Sequence, residues 1–123
     1  MNIKTRHLKQ ERQTWLRTLD YIQVEHVLLK NCLSDILKND ITAEVLEEVE
    51  YFQNQFINND TIIALLRHDI AGLNKLSEFS AVADTDFTKL YKKQGKLRAD
   101  IELMELGFIR LKFKFQSYFA EAL

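Results

Sequence analysis

Three histidines and a single cysteine are the side chains with which this 123-residue chain could do the most demanding chemistry, and their spacing argues against most of it. A di-iron centre inside a helical bundle takes Glu-x-x-His pairs from facing helices, and none of His7, His26 and His68 has a glutamate three residues before it. There is no HExxH, no cysteine pair and no glycine-rich phosphate loop. His7 and Glu11, four residues apart, read as an ordinary surface pair. Glu25 and His26 form an acid–base doublet, but adjacent residues of a helix point about 100 degrees apart and cannot easily serve one atom. Cys32 has no intrachain disulfide partner, and in its apolar-rich stretch it reads as a small packed side chain rather than a nucleophile. No catalytic residue, metal ligand or cofactor-binding group is expected, so the chain reads as a binding protein and not an enzyme.

The elements that would position these residues are helices. Proline is absent, so long uninterrupted helices are permitted throughout, and only three glycines are available for tight turns. From Leu8, apolar residues recur with alternating spacings of three and four through Trp15, Leu19, Ile22, Leu29, Leu33 and Ile36, with Arg12 and His26 filling the two gaps. Lys38, Asn39 and Asp40 end this run. Thr42 is placed to cap the next helix, whose first turn gains from Glu44 beside the positive end of the helix dipole. The second seam runs Val45, Val49, Phe52, Phe56, Asn59, Ile63, Leu66, Ile70, Leu73 and Ser77. It passes Asn58, Asn59 and Asp60 without a slip, so one continuous helix is expected, with a break there and a four-helix fold as the alternative. After 80–83, the capping cluster Asp84, Thr85 and Asp86 precedes a third seam through Phe87, Leu90, Gln94, Leu97, Ile101, Met104, Phe108, Leu111, Phe115 and Tyr118. Residues 109–115 alternate apolar and basic with a strand-like period of two, but a lone strand would have no ladder partner. The expected fold is an all-α, antiparallel, up-down-up bundle with coiled-coil-like packing, a single domain over 1–123 with helices near 5–38, 42–80 and 85–120.

Folding the three runs at their short connections sets which residues share a level. Arg12 is expected near Asp69, Ile70 and Gln94, and His26 near Phe52, Phe56, Phe108 and Ile109, with Asn59 and Glu105 about a turn away. Arg12, His26, Asn59 and Gln94 are accordingly read as polar seam residues that fix register at some cost in stability. Acids at the start of helix two (Asp40, Glu44, Glu47, Glu48, Glu50) are expected to flank Lys30, Lys38, Arg110, Lys112 and Lys114. At the other end, Lys4, Arg6, Lys9 and Arg17 come level with Lys89, Lys92, Lys93, Lys96 and Arg98, forming a candidate anion patch. Its aromatic content is low, Tyr91 being the obvious stacking residue.

Seventeen basic and eighteen acidic residues give a net charge of -1, so no global field draws nucleic acid or an anionic membrane. Residues 1–13 are polar where a secretory signal would be apolar, and the longest apolar stretch, 62–66, is far too short to span a bilayer; a cytoplasmic location without membrane insertion is expected. What remains unexplained is an excess of apolar residues. Helix three carries Leu103, Leu106, Ile109 and Phe113 as a second stripe, and helix one carries Tyr21, Val24 and Leu28 at the same level. Gly107 lies inside this zone. The expectation is a helical interaction or scaffold module that self-associates, as a homodimer, or meets another helical protein on this surface. Anion or nucleic-acid binding at the basic end is the alternative.

Overall fold

The computed structural model describes residues 3–80 and 84–122, which form three helices: α1 (Ile3–Ile36), α2 (Ala43–Ser80) and α3 (Asp84–Ala122). The Thr42 side chain caps α2, its Oγ1 accepting from the Val45 backbone N–H at 3.2 Å. The end of α1 is closed by tighter three-residue turns. Lys38 N–H donates to the Asp35 carbonyl at 3.2 Å and Asn39 N–H to the Ile36 carbonyl at 3.1 Å, so α1 stops two residues earlier than expected. Helix α2 runs unbroken through 58–60, and 109–115 is helical. The expected connection 80–83 falls largely outside the described residues, as do the capping side chains of Asp84, Thr85 and Asp86.

Contact direction establishes the topology. Moving up α1 from Arg12 to His26, the partners on α2 descend from Asn74 to Asp60, while moving from Glu11 to Glu25 the partners on α3 rise from Arg98 to Lys112. Helices α1 and α2 are therefore antiparallel, and α1 and α3 parallel. The expected levels on α2 are displaced by about a turn: Arg12 reaches Asn74 rather than Asp69. The six residues 37–42 between the helices let α2 begin beyond the end of α1, a stagger that a minimal turn would not allow.

The core follows the alternating seams closely. Leu19, Leu33, Phe52, Phe56, Ile63, Ile70, Leu90 and Ile101 are fully buried, and Ile36, Val45, Phe87 and Tyr118 pack at its margin. An aromatic cluster closes the end near the α1–α2 connection, where Phe119, off the expected seam, is buried 4.8 Å from Phe115 between ring centroids. Helix α3 packs chiefly on α2, and α1 and α3 touch each other least.

Candidate interaction surface

Two polar groups cross the core. In the first, Arg12, 2% exposed, donates from Nε to Asn74 Oδ1 at 2.7 Å and from Nη1 to Gln94 Oε1 at 2.8 Å. Gln94 in turn donates from Nε2 to the Leu8 carbonyl at 2.8 Å and to Glu11 Oε1 at 2.9 Å. Glu11 receives a two-pronged bridge from Arg98, Nε to Oε2 and Nη2 to Oε1, each 2.7 Å. Arg98 hydrogen bonding holds the Glu11 carboxyl below its ordinary range against the opposing effect of burial, with help from Gln94 and the charges of Arg98 and Arg12. Burial pulls the Arg12 guanidinium below its usual value, opposed by Glu11, yet an arginine remains charged. Among the described residues no buried side-chain nitrogen or oxygen of this layer lacks a partner, so the layer specifies one register of the three helices.

The second group centres on His26, 1% exposed, whose Nδ1–H donates to Asp60 Oδ1 at 2.7 Å while Lys30 Nζ donates to Asp60 Oδ2. A carboxylate only accepts, so the Nδ1 proton of the histidine is the one in this bond. The imidazole lies 5.4 Å from the Phe56 ring and 5.5 Å from Phe108, and its Nε2 is buried without a partner. Burial pushes the Asp60 carboxyl upward, but the hydrogen bonds and charges of Lys30 and His26 outweigh it and hold the group below its ordinary range. Glu25 turns away to Lys112 at 3.2 Å, so the adjacent acid and base diverge as their helical geometry demands.

Several expectations are corrected here. Asn59 is not a core residue: it is half-buried on the groove between α2 and α3, and its neighbour Asp60 makes the contact to His26. Glu11 is not a surface partner of His7 but part of the Arg98 bridge. Arg98 is thereby withdrawn from the anion patch. Cys32 is exposed rather than packed. Glu44, Glu47, Glu48 and Glu50 make no ion pair with the bases expected beside them; Lys30 instead bonds Asp60, Lys38 bonds Asp35, and Lys114 donates to the Tyr51 hydroxyl at 3.1 Å. At the basic end Lys4, Arg6, Lys9, Arg17, Lys89, Lys92, Lys93 and Lys96 are exposed, but Lys93 and Lys96 border Asp69 and Asp100 in a groove between α2 and α3. Among the described residues, no cluster of histidine, cysteine and carboxylate side chains is arranged to hold a metal ion. No described helix is long and apolar enough to cross a membrane.

The excess apolar residues remain on the surface. Phe113 is 71% exposed, Ile109 61%, and Tyr21, Val24, Leu28 and Leu106 are exposed beside them. Loose packing of α1 against α3 opens a groove of about 440 Å³ between the two helices, with Tyr21, Ile22, Phe108, Ile109 and Phe113 along it and Glu105, Lys112 and Gln116 at its polar rim. Tyr21 stands edge-on to Phe108 at 6.4 Å. Leu103 departs from the expected stripe: it lines the opposite flank of α3, in a groove shared with Ile62, Leu65 and Gly107. Ile62 and Leu65 are exposed apolar residues that lie off the expected seam. The signal for them was the apolar run 62–66, three of whose members, Ile62, Ala64 and Leu65, must fall off a seam that uses only Ile63 and Leu66. Helix α3 is thus a ridge with an apolar groove on either side. No family model, curated protein or solved structure matches this chain.

Proposed function

We propose that the chain is a non-catalytic, cytoplasmic helical interaction module that associates with a second copy of itself through the outer face of α1 and α3. The observation that carries this reading is the exposure of Ile109 and Phe113 beside Tyr21, Val24, Leu28 and Leu106, over a groove that the loose α1–α3 contact leaves open. Exposed large apolar side chains along a groove with a polar rim are what a protein partner covers. Burying each large apolar side chain contributes roughly 1.5 to 3 kcal/mol, and in a two-fold dimer each substitution removes two contacts. Ile109→Glu with Phe113→Glu is expected to give a helical monomer by light scattering at micromolar concentration. Unfolding of that double variant would instead assign the stripe to the intrachain core.

The basic end supports a second reading, binding of an anion or nucleic acid. Its lysines are exposed, and the described ion pairs leave Lys4, Lys9, Lys89 and Lys92 without a carboxylate partner. Phosphate contacts weaken steeply with salt, whereas apolar association does not, so retention on an anionic resin or a nucleic acid at 50 and 300 mM salt separates the two readings.

A further inference from the structure

We infer that the α1–α3 groove receives Phe113 of the second copy, each chain plugging its partner's groove with the ring it holds beside its own; this rests on the self-association proposed above and names the side chain that anchors it. Phe113 is 71% exposed, the highest value among the large apolar residues described. It stands at the edge of a groove of about 440 Å³ that Tyr21, Ile22 and Phe108 also line. Exposed ring and open groove are therefore features of one face. A two-fold dimer uses the same patch on both copies, so a face that carries both a knob and a hole can offer each to its twin. Aromatic anchors seated in a partner's pocket are also where interfaces concentrate their binding energy.

The walls of the groove select what enters it. Tyr21 and Phe108 stand edge to face, with centroids 6.4 Å and planes 87° apart, so a third ring extends an aromatic cluster in the edge-on or offset arrangements that such rings prefer. Lys112 at the rim is already bound to Glu25 at 3.2 Å, which leaves it committed and unavailable to an anionic occupant. Glu105, half-buried along the same rim, suits the positive edge of an inserted ring. The spacing also permits the exchange. Since α1 and α3 are parallel, the Glu25–Lys112 pair sets buried Ile22 level with Ile109, and Phe113 is one helical turn, about 6 Å, beyond that level. A two-fold axis passing between ring and groove places each ring over the other copy's groove while the two faces stay in contact.

The test is complementation between two variants of the full chain. Phe113→Ala keeps the groove and lacks the plug, whereas Thr18→Trp keeps the plug and fills the groove from α1, where Thr18 is half-buried. Each variant's homodimer loses both contacts and is expected to weaken by about a hundredfold or more, at about tenfold or more for each ring. Mixing the two restores one contact, so the variants are expected to bind each other about tenfold more tightly than either binds itself. Sedimentation at about ten times the dissociation constant of the unaltered chain should then show dimer in the mixture and little in either variant alone. Packing of Phe113 against the partner's Phe113 gives no such recovery. A mixture no heavier than its components would overturn the exchange and leave self-association, seen in the unaltered chain, in place; an unaltered chain that is monomeric at about 100 μM would overturn both. Should Thr18→Trp lose helical content by circular dichroism, isotope-filtered nuclear Overhauser spectra of mixed labelled and unlabelled unaltered chains decide the matter. Contacts from Phe113 of one chain to the Thr18 and Ile22 methyl groups of its partner are expected, and their absence from a dimeric sample would overturn the exchange.

Discussion

The Arg12 layer and the outer face of α3 both invert the usual placement of side chains, and they do so with opposite consequences. In the layer, Arg12 and Gln94 are buried, and with half-buried Glu11 and exposed Asn74 they form a chain of hydrogen bonds of 2.7 to 2.9 Å. On the outer face, apolar groups lie outside, and among the described residues Ile109 and Phe113 stay 61% and 71% exposed. A buried polar exception that is closed by its own neighbours belongs to the architecture, because any change of register would break several bonds together. An apolar exception left open points beyond the chain. His26 sits between the two cases, with Nδ1 satisfied by Asp60 and Nε2 orphaned, which is why it is read as a packing residue with a residual cost and not as a ligand.

The largest effect on stability is expected from breaking the closed layer. Gln94→Leu removes one of the two acceptors of buried Arg12 and the donor to Glu11 and the Leu8 carbonyl, and urea unfolding should show a loss of about 1.5–3 kcal/mol. If the loss is below about 1 kcal/mol, the layer is not the closed unit described. The outer face should respond differently. Phe113→Ala removes a side chain that is 71% exposed, so it should leave unfolding within about 0.5 kcal/mol while weakening association measurably by sedimentation.

Acid should act on the interior groups and not on the apolar face. Glu11 and Asp60 have folded-state pKa values below their ordinary ones, so their contribution is fully present above the unfolded-state carboxylate range of about 4 and is lost as pH falls through the lower folded-state values. Thermal melting should therefore decline with pH below about 4, and Glu11→Gln with Asp60→Asn should flatten that decline. The smallest effect is expected at His26. His26→Leu gives up the bond to Asp60, which keeps Lys30, and removes a buried atom without a partner, so unfolding should change by less than about 1 kcal/mol. A larger loss would make the His26–Asp60 contact a structural requirement.

How much of this was legible in the sequence depended on whether a property is local or crosses helices. The alternating spacing is local, and it led to the three helices, the continuity of α2 through Asn59 and the burial of Arg12, His26 and Gln94. The Thr42 cap was legible for the same reason. Pairings across helices were not: the stagger introduced by 37–42 moved Asn74 to Arg12 and Asp60 to His26, and a seam pattern does not encode the length of a connection. Nor does it resolve the flank of a helix, and so Leu103 was grouped with Ile109 although the two lie in different grooves. Arg98 looked like a member of a lysine cluster because Glu11, its partner, lies 87 positions away.

Self-association shows most directly in the concentration dependence of the unaltered chain's mass. Sedimentation of the 14.5 kDa protein from about 1 to 100 μM should show a monomer giving way to a species of twice the mass, with little change between about 50 and 300 mM salt if the apolar face dominates. A single monomeric species across that range would contradict the central claim that the outer face of α1 and α3 receives a second copy.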